Sequence, residues 1–96
     1  MNRLDTIRHH RLKLLRVAEE HGARNLRVFG SVARGTESAA SDLDLLVELD
    51  TDRSLFDLVG LHLAIEDIVA VMVDVVTERG LSPYLRDRIL GEAVPL

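Results

Sequence analysis

The residues with the greatest chemical reach in this sequence lie between Phe29 and Asp44, in the stretch F-G-S-V-A-R-G-T-E-S-A-A-S-D-L-D. Gly30-Ser31 is followed by ten residues and then by Asp42-Leu43-Asp44. A strand running into Gly-Ser at a helix start presents a hydroxyl and backbone N–H groups that lack intrahelical acceptors, an arrangement suited to phosphate. Glycine lets backbone approach a ligand where a Cβ would intrude. Asp42 and Asp44 are two apart, so on a strand both carboxylates leave the same face. Like charges that close repel unless a cation lies between them, and an oxygen-only donor set suits Mg²⁺, which completes its shell with water and substrate phosphates. A third acid, Asp74, stands alone in the apolar run V-M-V-D-V-V. Buried and unpaired it would cost several kcal/mol, so it requires a partner, a changed protonation state or a metal. If its strand adjoins that of Asp42 and Asp44, the three acids converge on a two-metal site able to clamp both oxygens of a phosphoryl transfer.

Each residue also has a plainer reading. Gly-Ser dipeptides often only turn the chain, and Asp42-x-Asp44 alone is compatible with a solvated strand end. Asp74 could pair with Arg86 or Arg88, and Arg34 reads equally as a phosphate contact or a surface arginine. His62 interrupts an apolar helix face and reads as a packing-boundary histidine. His9 and His10 are adjacent, so they diverge on a helix. Glu48 shares the face of Asp42 and Asp44 but is read as structural or solvent-facing, and Tyr84, near a helix start, as a packed residue rather than an acceptor.

The elements that must position these groups follow from periodicity. Leu4, Ile7, Leu14, Leu15 and Ala18 recur at helical spacing from Leu4 to about Glu20, with Gly22 as the C-cap. Leu26–Phe29 is a short strand, followed by a helical turn through Ala33 and Arg34 and a polar loop, Gly35 to Ser41. From Asp42 to Leu49 the residues Leu43, Leu45, Val47 and Leu49 alternate along one strand face. Ser54 with Asp57 resembles a capping box, opening a helix to about residue 69 with Leu55, Leu58, Ile65 and Val69 on one face. Val71–Val76 is β-branched and apolar, the pattern of a strand buried on both faces. Ser82-Pro83 supplies an N-cap and an N1 proline for a last helix through Ile89, with Gly91 near its end. The order α-β-α-β-α-β-α predicts an α/β fold, a small mixed sheet covered by helices.

With 96 residues, the chain reads as one domain, residues 1–96, whose core is aliphatic because it holds only two Phe and one Tyr. A core this small leaves room for a partner subunit, as a homo- or hetero-oligomer. The net charge of −4, without a run of Lys or Arg, disfavours a long nucleic-acid substrate. There are no cysteines, hence no disulfides or thiolate metal sites. No segment has the length of a membrane span, and the charged N-terminus is not a signal peptide; a soluble cytoplasmic protein is expected.

Gly30-Ser31, ten residues, Asp42-x-Asp44 and a later Asp74 together resemble the DNA polymerase β-like nucleotidyltransferase superfamily. The phrases F-G-S-V-A-R-G, S-D-L-D-L-L-V and V-D-V-V-T-E-R-G-L-S-P are similar to its minimal branch, the MntA-type antitoxins paired with HepT-type HEPN toxins. The resemblance runs from about Val28 to the last residue. It departs at Val69-Ala70-Val71-Met72, where such proteins often carry Gly or a basic residue. It implies a minimal nucleotidyltransferase domain of polymerase β-like fold. Gly30 and Ser31 would hold the β- and γ-phosphates of an NTP, Asp42 and Asp44 the metals, and Asp74 would complete the site and help deprotonate the acceptor. The implied activity is Mg²⁺-dependent transfer of AMP from ATP to a tyrosine of a HEPN toxin, silencing it. Two alternatives stay open: an antitoxin that acts only by binding, and transfer to a small-molecule acceptor.

Overall fold

The computed structural model describes residues 3–38 and 40–96, so Met1, Asn2 and Ala39 of the expected polar loop lie outside it. Helices α1 (Arg3–Arg8) and α2 (Arg11–Glu20) precede strand β1 (Ala23–Phe29), which runs directly into the short helix α3 (Gly30–Arg34). Strand β2 (Leu43–Leu49), helix α4 (Leu55–Val69) and strand β3 (Val73–Thr77) follow, and a 3-10 turn at Glu78–Gly80 leads to helix α5 (Pro83–Glu92) and strand β4 (Val94–Pro95). The sheet order is β3-β2-β1-β4. β1 pairs antiparallel with β2 and β4, whereas β2 and β3 are parallel and joined through α4, giving the mixed α/β sheet that the sequence predicts.

Side-chain alternation divides β2 between two cores. Leu43, Leu45 and Val47 point to the larger one, where they meet Leu14 and Ala18 of α2 and Leu61 and Ile65 of α4. Leu46 points the other way, to a smaller cluster with Phe29 of β1 and Ile89 of α5. Asp44 and Glu48 share the parity of Leu46, as Asp74 shares that of Val76, so these acids leave the sheet on the face that α5 covers. α5 shields Leu46 but not the whole face. Asp42 and Asp74 are exposed and Asp44 is half-buried.

Four local expectations need correction. The first helix is two, broken at His9-His10, where the His9 amide is shared between the Asp5 and Thr6 carbonyls and His10 O receives the Leu14 amide. The break lets α1 pack on α3 while α2 packs on β1 and α4. On α4, Leu55 is 72% exposed, and Leu61 rather than Leu55 is buried with the expected Ile65; the capping box does form, with Ser54 Oγ accepting from Phe56 N at 3.2 Å and Asp57 Oδ2 accepting from Ser54 N at 3.1 Å. The run Val71–Val76 is not buried on both faces: β3 begins at Val73 and is an edge strand, with Met72 exposed before it. Tyr84 does not pack; it is 95% exposed.

The α4–β3 boundary, unmarked in sequence by Gly or Pro, is made by Ala70 in the left-handed region at φ 58°. Ala70 N donates to Glu66 O at 2.8 Å, and the Glu66 carboxylate accepts from Val73 N at 2.9 Å, tying the helix end to the strand start. At the other edge β4, absent from the sequence reading, is only two residues long and pairs Val94 with Val28 and Pro95 with Arg27. Among the described residues no helix is long and apolar enough to cross a membrane.

Candidate active site

β1 delivers Gly30 to the sheet end where β2 and β3 begin. In the antiparallel β1–β2 register Phe29 is opposite Asp44, and in the parallel β2–β3 register Asp44 is opposite Asp74. Asp44 and Asp74 are thus direct neighbours on one face, and Asp42 lies one residue before β2 begins, near enough for its charge to act on Asp44. The structure brings the three sequence-selected acids to one place. Asp44 shows this electrostatically: its carboxyl lies above the ordinary range, first because of burial, then because of the charges of Asp74 and Asp42, with Glu92 adding to them and Arg34 opposing.

Asp74 itself is exposed, and among the described residues it has no ion pair. Arg86, considered above as its partner, donates instead to Glu78 O at 2.9 Å. Exposure spares Asp74 the cost of burial, so burial does not call for a metal there; what connects this acid to the site is its register beside Asp44.

Gly30 is buried, with φ at 74°, and a Cβ built on it would run into Asp44 Oδ2. Glycine is required twice over, by the backbone and by the carboxylate beside it. Ser31 follows, half-buried, in the first turn of α3, and its hydroxyl has no partner among the described residues. Helix α3 ends at Gly35, also left-handed at φ 73°. Arg34, exposed on α3, pairs with Glu92: its Nη1 donates to Oε2 at 2.9 Å and to Oε1 at 3.1 Å.

Among the described residues no three acidic or histidine side chains form a ready cage for a metal ion. The donor set nevertheless suits Mg²⁺, which seldom uses an all-protein cage and takes one or two carboxylates together with substrate phosphates. The mutual repulsion felt at Asp44 is the electrostatic condition that a divalent cation relieves.

Residues 12–96 match the nucleotidyltransferase domain family. The chain belongs to that family of enzymes. A Methanocaldococcus jannaschii protein, named as a candidate protein adenylyltransferase, is 42% identical over 82 residues, covering 85% of this chain and 88% of the relative. The protein adenylyltransferase MntA of Thermococcus cleftensis is 33% identical over 76 residues, covering 79% of this chain and 77% of its own. A solved structure of a candidate minimal nucleotidyltransferase superposes with a TM-score of 0.88 at 50% identity, covering 100% of this chain and 97% of the other. A crystal structure of a toxin–antitoxin with AMP-PNP shares the fold, with a TM-score of 0.73 at 20% identity over 88% of this chain and 69% of that one.

Sequence reasoning missed one residue at the site of this nucleotidyltransferase. Glu92 ends α5, beyond the Ile89–Gly91 stop inferred from sequence, and its Oε1 accepts from Gly30 N at 3.0 Å. Partial burial pushes its carboxyl upward, but hydrogen bonds from Arg34 and the Gly30 amide, with the charges of Arg34 and Arg88, outweigh this and hold it below the ordinary range. No local pattern could mark the contact, which joins positions 62 residues apart.

The other acids with partners lie elsewhere. Glu48 pairs with Arg24 at 3.4 Å and His62 with Glu66 at 3.4 Å, in keeping with structural roles for both. A cleft of about 280 Å³ opens at the far ends of β2 and β3, walled by Leu49, Thr77 and a mixture of arginines and acids. There Arg24 pairs with both Glu48 and Asp50, so its charge is already answered, and the three acids stand at the opposite end of the strands.

Proposed function

We propose that this nucleotidyltransferase is a Mg²⁺-dependent protein adenylyltransferase that moves AMP from ATP to a tyrosine hydroxyl of a HEPN-type toxin, acting as its antitoxin. The observation that carries the proposal is the pairing of Asp44 with Asp74 across parallel strands, with Asp42 just before the same strand and Gly30 against the Asp44 carboxylate. The adenylyltransferase names of the relatives support protein as the acceptor class, and the toxin–antitoxin complex with AMP-PNP supports ATP and a toxin partner.

Asp42, Asp44 and Asp74 would hold the metal, one or two ions completed by the triphosphate; bound there, Mg²⁺ neutralises charge on the phosphates. The Ser31 hydroxyl and the amides of the first turn of α3 take the β- and γ-phosphates. Gly30, whose amide is given to Glu92, contributes space rather than a donor, and Arg34 adds positive charge beside the acids. Asp74, the most open of the paired acids, accepts the proton of the tyrosine hydroxyl and passes it to solvent. The tyrosine oxygen attacks the α-phosphorus in line, the bond from that phosphorus to the bridging oxygen breaks, and pyrophosphate leaves.

The test uses ATP labelled at either the α- or the γ-phosphate, with Mg²⁺, this chain and the protein that co-purifies with it from its own cells. The α-label should appear on a tyrosine of the partner and the γ-label should not. Transfer of the γ-label would mean a kinase. A stable complex that takes up neither label would mean an antitoxin that works by binding alone.

A further inference from the structure

Glu92 has no task in the reaction just described, yet its contacts are with two of the residues around the nucleotide. Its carboxylate receives Gly30 N at 3.0 Å and Arg34 Nη1 at 3.1 and 2.9 Å. The Glu92 side chain is only 17% exposed, whereas that of Arg34 is 48% exposed. The acid end of the pair is thus anchored between α3 and α5, and the basic end reaches solvent. Nη1 is occupied, while Nε and Nη2 of Arg34 have no partner among the described residues. A guanidinium carries its five donors in a rigid plane, so fixing one nitrogen sets the direction of the others. Arg34 ends the short helix that Gly30 opens, and Gly30 lies against the Asp44 carboxylate, which puts that plane near the acids.

Two roles could follow from a carboxylate in this place. One is a competitor that occupies the position of a phosphate and must be expelled. The other is a brace that aims Arg34. The contacts favour the brace: the carboxylate that holds Arg34 also accepts from the amide of buried Gly30, so it is tied to the backbone of the turn as well as to the arginine.

We infer that Glu92 is a positioning residue: it locks α5 onto the Gly30 turn and holds Arg34 with its free donors turned to the triphosphate. The inference rests on the nucleotide reading above. α5, which contributes nothing to the acids, becomes through its last residue part of the phosphate-binding device.

The experiment is calorimetric titration of AMP-PNP with Mg²⁺ into the wild-type chain, Glu92→Ala, Glu92→Gln, Arg34→Ala and the Arg34→Ala/Glu92→Ala double variant. Glu92→Ala should weaken binding on the order of tenfold. Glu92→Gln keeps an oxygen for the Gly30 amide and for Arg34 and should recover part of the loss. In the Arg34→Ala background Glu92→Ala should cost nothing more, because the residue it aims is gone. Losses that simply add would overturn the inference, as would unchanged or tighter binding by folded Glu92→Ala. Should that variant fail to fold, Glu92→Gln carries the same test: weaker than wild type alone, without effect beside Arg34→Ala. If the wild-type chain binds no AMP-PNP, the nucleotide reading and this inference fall together. If it binds and the Glu92 variants bind equally, only the inference falls.

Discussion

Gly30 and Asp44 restrict one another. The glycine has a backbone conformation that side chains disfavour, and the carboxylate fills the space where a Cβ would stand. Gly30→Ala should therefore destabilise the fold by about 2–4 kcal/mol, strain and collision together, measurable by urea unfolding. A loss below about 0.5 kcal/mol, the level of an ordinary surface change, would show that the close approach is not maintained in solution. Asp44 carries the opposite lesson. Its folded carboxyl titrates above its unfolded value, so at neutral pH its charge disfavours the folded state. Asp44→Asn should melt higher than wild type in chelator while losing all transfer activity, and Mg²⁺ with ATP should stabilise the wild type but not the variant. A lower melting point for the variant in chelator would mean that the acids do not repel as the geometry requires. The spacing of Asp42 and Asp44 was legible in the sequence because period-two alternation fixes the face of a strand. The surroundings of Asp74 were not, because an apolar run looks alike in a central and an edge strand and only pairing distinguishes them.

Among the elements, α4 is held by explicit devices at both ends. At its start the Ser54 amide donates to the Asp57 carboxylate, and this bond leads the causes that hold Asp57 below the ordinary carboxylate range. A depressed carboxyl stabilises the fold above its unfolded pKa and loses that contribution as pH falls through the folded one. The fold should thus weaken below about pH 4, and Asp57→Asn should flatten part of that acid limb in a series of thermal melts. An unchanged limb would assign the acid sensitivity to other groups. At its end Ala70 takes a left-handed conformation that costs an L-residue about 1–2 kcal/mol. Ala70→Gly should recover about 0.5–1 kcal/mol of stability, the remainder being lost to the entropy of glycine in the unfolded chain, and destabilisation would contradict the assigned φ. The Ser54 start was readable from two residues three apart. The Ala70 stop was not, since a non-glycine left-handed cap has no local signature. The break at His9-His10 escaped for a related reason: the apolar stripe runs through it, and only the different neighbours of α1 and α2 give the bend its purpose.

At the scale of the whole molecule, the site is assembled by three kinds of adjacency: sequence spacing for Asp42 and Asp44, strand register for Asp74, and helix docking for Glu92 on Gly30. Only the first is local, which is why spacing alone joined Asp42 to Asp44, while the place of Asp74 beside Asp44 and the contact from α5 are seen only in the fold. The same face of the sheet is shielded by α5 at Leu46 and open at the acids, leaving them accessible to a triphosphate and to a second protein. The central claim is that this open cluster performs nucleotidyl transfer onto a partner. Its most direct test is the intact mass of the co-purifying partner after incubation with ATP and Mg²⁺, using the wild-type chain and Asp44→Asn side by side. The partner should gain one or more AMP units with the wild type and none with the variant. An equal gain with Asp44→Asn would contradict the assignment of the site.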